Sequence, residues 1–145
     1  GLDNKQQKMF EGKLGEKAIK KLFIDNNIKF EEDNSSHEEA DLFDFIVYNK
    51  NFEKLKVDVK TRTKSFHTRT LEMVEQMKNK PKDIYISLRL FVKEPFTVTI
   101  IGFVYKYAFL KINRIQHQGY LDNYVLFDNE LQKIDELLKL LQKNE

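Results

Sequence analysis

The stretch Leu55-Lys56-Val57-Asp58-Val59-Lys60-Thr61-Arg62 decides how this chain folds. Side chains alternate across a β-strand. Leu55, Val57 and Val59 therefore share one face, turned to a core, and Lys56, Asp58, Lys60 and Arg62 share the other. Asp58 and Lys60 stand one pleat repeat apart, roughly 7 Å along the strand. An acid and an amine at that separation can flank a single metal-bound water.

Outward from this strand, Asp41–Tyr48 reads as a second one, joined through the turn Asn49-Lys50-Asn51 into an antiparallel hairpin. Phe43, Phe45 and Val47 share one of its faces; Leu42, Asp44, Ile46 and Tyr48 share the other. Asp44 has apolar neighbours on both faces. A carboxylate there is costly unless a metal, a lysine or a set of backbone amides compensates it. Before the hairpin, Asp3–Asn26 reads as an amphipathic helix whose apolar face holds Met9, Phe10, Leu14, Ala18, Ile19, Leu22 and Phe23. At about 100° per residue, Glu16 falls at the edge of that face, between Gly12, Ile19 and Phe23. Gly12 and Gly15 each cost a helix about 1 kcal/mol relative to Ala. Either the helix frays near its start or its backbone approaches something closely.

The remaining segments complete the plan. Ile28–Glu32 reads as a short strand and Asp33–Glu39 as a loop. Thr68–Lys80 carries Leu71, Val74 and Met77 at helical spacing and is closed by Pro81. Asp83–Val92 and Phe96–Val104 read as strands, Tyr105–Ile112 as a short helix and Tyr124–Phe127 as a last strand. Asp128–Glu145 reads as a helix, with Asp128 as N-cap and Leu131, Ile134, Leu137, Leu138 and Leu141 along one face. The order predicts an α/β or α+β fold, a mixed β-sheet flanked by helices, in a single domain over 1–145.

Composition narrows the chemistry. The 145 residues include no cysteine, which excludes disulfides, iron–sulfur clusters, zinc fingers and thiol nucleophiles. Twelve Phe and six Tyr supply ample core material. No run approaches the roughly 18 apolar residues of a membrane span, and the first residues are too polar for a signal peptide. The expectation is an intracellular protein of the cytoplasm or nucleoid, with no membrane. His37, His67 and His117 are scattered, and no Gly-rich phosphate loop is present. The net charge is only +2, so local charge must identify partners. Lys60, Arg62, Lys64 and Arg69 form a basic run with no acid before Glu72. If the chain binds nucleic acid, Arg62, Lys64 and Arg69 are the expected phosphate contacts; otherwise the run is a solvated surface. Lys78, Lys80 and Lys82 form a second basic cluster.

An Asp-x-Lys triplet means little in a chain this rich in both residues, and Asp3-Asn4-Lys5 is a second one. Placement gives it content. Asp58-Val59-Lys60 lies on a strand, an acid in an apolar strand precedes it, and a helix carrying Gly15-Glu16 precedes both. Over roughly residues 12–62 this arrangement resembles the PD-(D/E)XK nuclease superfamily, the restriction-endonuclease-like fold. One departure is that Phe43, not Pro, precedes Asp44, so Asp41 competes with Asp44 for the first acidic position; the apolar context favours Asp44. The resemblance implies a Mg²⁺ (or Mn²⁺) ion held by Asp44, Asp58 and the backbone carbonyl of Val59. Glu16 would join through water, and Lys60 would position the attacking water. It further implies hydrolysis of DNA phosphodiester bonds, most simply as an endonuclease leaving 5′-phosphates. Small phage or mobile-element endonucleases and archaeal-type Holliday-junction resolvases are similar in size. Some branches place a glutamine on the helix after the core, which singles out Gln76. Many such enzymes act as homodimers, a role open here to the C-terminal helix. The rival expectation is a catalytically inactive module of the same fold that binds nucleic acid or a protein partner.

Overall fold

The computed structural model describes residues 2–32, 43–64, 68–79 and 82–145. Helix α1 spans Leu2–Asp25. Three antiparallel strands follow: β1 (Phe30–Glu32), β2 (Phe45–Tyr48) and β3 (Lys54–Arg62). Next come β4 (Arg69–Met73), helix α2 (Val74–Asn79), β5 (Ile84–Phe91), β6 (Thr97–Tyr105) and helix α3 (Lys106–Ile112). The chain ends with β7 (Ile115–Gln118), β8 (Leu121–Phe127), a 3-10 turn over Asp128–Glu130 and helix α4 (Ile134–Leu140). Strands β1-β2-β3-β5-β6 form one mixed sheet, in which only β3 and β5 run parallel. Strands β4-β8-β7 form a second, antiparallel sheet. The fold is α+β, as the sequence implies. Among the described residues no helix is long and apolar enough to cross a membrane.

Alternation in β3 and β5 explains the layers. Val57, Val59, Ile84, Ile86 and Leu88 face α1 and α4 and pack with Ile19, Phe23, Phe45, Leu137 and Leu141. Edge-to-face rings tighten this core: Phe23 and Phe45 lie 5.6 Å apart at 82°. The opposite face carries Tyr85, which packs with Met77, Val104, Phe109, Tyr124 and Leu126 beneath the second sheet and α3. The polar face of β3 is thus covered by a sheet instead of solvent.

Several sequence expectations need correction. Residues 69–73, expected to be helical, form β4 because Thr70 and Glu72 alternate inward and the strand pairs with β8; only Val74–Asn79 is helix. Strand β7 was not anticipated. The C-terminal helix is confined to Ile134–Leu140. Leu141 then bridges Asn49, and Lys143 bridges Ile28, so backbone pairing with the first sheet wins over helix continuation. Asp128 caps no long helix; its carboxylate binds Arg62 instead. Helix α4 is docked on the core through Leu137 and Leu138 and exposes Asp135, Glu136, Lys139 and Leu140 on its other face. Strand β2 begins at Phe45, which leaves Asp44 at its mouth instead of within it. The loop at 33–39, Asp41, His37, His67 and the Lys80-Pro81 helix stop lie outside the described residues.

The two glycines of α1 separate cleanly. A Cβ on Gly15 would stand 2.0 Å from Thr61 Oγ1 and 3.0 Å from Leu88 Cδ1, whereas nothing lies within 4 Å of one on Gly12. Gly15 is therefore the point where α1 touches the sheet, next to Glu16. We expect Gly15→Ala to lower stability by about 1–3 kcal/mol through overpacking. Gly12→Ala should raise it by up to about 1 kcal/mol. Urea denaturation of the two variants checks this; equal effects would contradict it.

Candidate functional site

The hairpin and α1 bring Glu16 to Asp44, and Asp58, which lies with Lys60 on the covered face of β3, acts on Asp44 through its charge. Asp44 stands where β2 gives way. Its amide N–H donates to the Val57 carbonyl at 2.8 Å, and its Oδ2 accepts the Val59 N–H at 2.7 Å. The side chain thus stands in for a strand carbonyl at the end of the ladder. Glu16, half-buried on α1, is hydrogen-bonded to the same carboxyl group, and Asp58 adds its negative charge. Burial first, then the Glu16 hydrogen bond and the Asp58 charge, push the Asp44 carboxyl up to about 9; the Val59 amide only partly opposes them. At neutral pH Asp44 therefore keeps its proton.

Asp58 and Lys60 lie on the covered face of β3, and there they meet two residues that the sequence reading had not selected. Glu72 on β4 is 2 % exposed and Lys82, just before β5, is 4 % exposed. Lys60 Nζ lies 3.1 Å from Asp58 Oδ2 and 3.2 Å from Glu72 Oε1. Lys82 Nζ lies 2.9 Å from Glu72 Oε2 and 3.3 Å from Asp58 Oδ2. Two acids and two amines form a closed ring, and both ammonium groups lie about 6 Å from the centre of the Tyr85 ring. Burial works against the Lys60 charge, but Asp58 and Glu72 outweigh it and hold the ammonium above its ordinary value. Burial likewise opposes the Glu72 charge, and Lys60 with Lys82 holds it below the usual carboxylate range. The Tyr85 hydroxyl is pushed up by burial and by Glu72 and Asp58. Asp58 Oδ2 is neutralised by charge yet accepts no well-aligned hydrogen bond among the described residues.

The expected phosphate contacts are placed differently. Arg62 is held by the Asp128 carboxylate and donates to the Arg69 carbonyl at 2.8 Å, so it ties the two sheets together. Arg69 donates to Gln116 on β7. Lys64 is exposed beyond the end of β3. Gln76 is half-buried on α2, and among the described residues no hydrogen bond links it to the acids. His117 pairs with Asp122 at the surface. Once β4 is read as a strand, the sequence signal for Glu72 is visible: an acid two residues from Thr70 on the same face. Lys82 belongs by sequence to the basic cluster with Lys78 and Lys80. Its position directly before an apolar strand is the only sign of its burial.

A cleft of about 270 Å³ opens beside the Glu16–Asp44 pair, lined also by Lys13, Lys17, Lys20, Glu32, Phe43 and Phe45. Among the described residues no three His, Cys, Asp or Glu side chains form a ready-made metal cage. The donor chemistry nevertheless suits a hard cation. Two carboxyl groups share a hydrogen bond, a third adds its charge, and one oxygen lacks a hydrogen bond. The Val59 carbonyl also points to the same side of β3 as its N–H. No family model, curated protein or solved structure matches the chain.

The raised Asp44 value has a signed consequence. The folded state keeps a proton that the unfolded state loses near the ordinary value of 3.8, so this group's contribution weakens as pH rises from about 4 to about 9. Asp44→Asn keeps an acceptor for the Val59 N–H and removes the titration. We expect it to be more stable than wild type by about 1–2 kcal/mol at pH 8, with the gain shrinking toward pH 4. Urea titrations at both pH values check this. A variant less stable at pH 8 would contradict it.

Proposed function

We propose that this protein is a metal-dependent nuclease that hydrolyses DNA phosphodiester bonds endonucleolytically, with Mg²⁺ or Mn²⁺ as cofactor. The observation that carries the reading is that Glu16 from a helix is hydrogen-bonded to Asp44 at a strand mouth, while Asp58, ion-paired with Lys60 on the neighbouring strand, is near enough to raise the Asp44 carboxyl. A carboxyl group buried against Glu16 and within reach of the Asp58 charge is an unfavourable arrangement for stability alone. A divalent cation in place of the Asp44 proton would relieve the repulsion.

Asp44, Asp58 and the Val59 carbonyl would hold the ion, with Glu16 as a further ligand through water. Bound there, such an ion would polarise the scissile phosphate and stabilise its developing charge. Lys60, kept cationic by Asp58 and Glu72, would orient the attacking water and neutralise charge on the phosphoryl oxygens. Glu72 and Lys82 act through it: they fix the position of the Lys60 ammonium and are positioning residues. Asp58 must loosen its contact with Lys82 to serve as a ligand.

One observation favours the non-catalytic alternative. The ring Asp58–Lys60–Glu72–Lys82 neutralises Asp58 without any metal, as a purely structural network joining the two sheets would. Cleavage decides between the two. Supercoiled plasmid and a four-way junction, with Mg²⁺ or Mn²⁺ against EDTA, should be cut by wild type. Asp58→Ala and Lys60→Ala should each lose about 10²-fold or more of the rate. Metal-dependent cutting that survives in both variants would overturn the assignment, as would no cutting by wild type together with no metal binding.

A further inference from the structure

We infer that the exposed lysine row of α1, Lys13 and Lys17 with Lys20 at its end, is the track that holds the DNA backbone over the acid pair. Positions 13, 17 and 20 are three and four residues apart and lie on one stripe of a helix. All three are exposed, and all three line the cleft that also contains Glu16 and Asp44. Lys20 is committed to Glu32 at 2.7 Å. Lys13 and Lys17 have no ion-pair partner among the described residues. By contrast, Arg62 and Arg69 are consumed by contacts within the protein.

Electrostatics gives the row its purpose. A phosphodiester that enters this cleft meets the acidic side chains of Glu16 and Glu32. Cations on the rim of the same cleft are what allow it to come close. A helix rim also suits a duplex, because point-like ammonium groups contact phosphates without reading bases. The inference takes its ligand from the nuclease reading, but it assigns the binding surface to α1 instead of to the end of β3.

The test is fluorescence anisotropy of a short fluorescein-labelled DNA duplex, in EDTA so that nothing is cut, from about 50 to about 200 mM salt. The full chain is compared with Lys13→Gln/Lys17→Gln. A charge-matched control, Lys50→Gln/Lys54→Gln, changes the turn end of the β2–β3 hairpin. Removal of two phosphate contacts should weaken binding at least about tenfold at the lowest salt and lower the slope of log K against log salt by about two. The control should keep the wild-type slope. Because the two lysines are exposed, thermal melting of the double variant should match wild type. Wild-type affinity and slope in the α1 variant would overturn this inference and leave the nuclease reading standing. Failure of wild type to bind the duplex at any salt would overturn both.

Discussion

Charges buried on the covered face of β3 set the terms for the rest of the structure. Asp58, Lys60 and Arg62 alternate along one strand, and the second sheet closes over them. A buried charge without a partner is strongly destabilising. Each must therefore be answered from the element that covers it. Glu72 on β4 and Lys82 before β5 answer Lys60 and Asp58, and Asp128, after β8, answers Arg62. The second sheet is thus keyed to the first by complementary charge as well as by the apolar cluster around Tyr85 and Phe109.

The acid pair on the other side of the strand follows a different rule. Gly15 lets α1 approach Thr61 closely, which delivers Glu16 to Asp44. Asp44 in turn is fixed by its hydrogen bond from Val59 at the point where β2 ends. The two clusters meet through Asp58, which is in ion pairs with both lysines and close enough to Asp44 to raise its carboxyl. This one carboxylate couples the proton-bearing pair to the cationic ring. A substitution at Asp58 therefore perturbs both.

The site was legible wherever local period and chemistry agreed. Strand β3 runs over the residues its alternation marks, and the hairpin and α1 follow from their own patterns. Asp44 stood out because an acid among aromatic neighbours demands compensation. Glu72 was hidden by an ambiguity of period: Leu71, Val74 and Met77 fit a helix, while pairing with β8, remote in sequence, makes 69–73 a strand. Lys82 and the Arg62–Asp128 pair depend on how the second sheet docks, and charge runs in the sequence carry no such information. Nor do they show that Arg62 and Arg69 make contacts within the fold, or that Lys13 and Lys17 border the cleft beside Glu16 and Asp44.

If the proposed nuclease reading holds, the proton on Asp44 occupies the place of a divalent cation. Titration calorimetry with Mn²⁺ and with Mg²⁺, near pH 7.5 in buffers of different ionisation enthalpy, would detect the exchange. Binding should release about one proton per ion. In Asp44→Asn, binding should be weaker and its heat should no longer depend on the buffer. No metal binding would contradict the account. So would binding with the same heat in every buffer and the same strength in the variant.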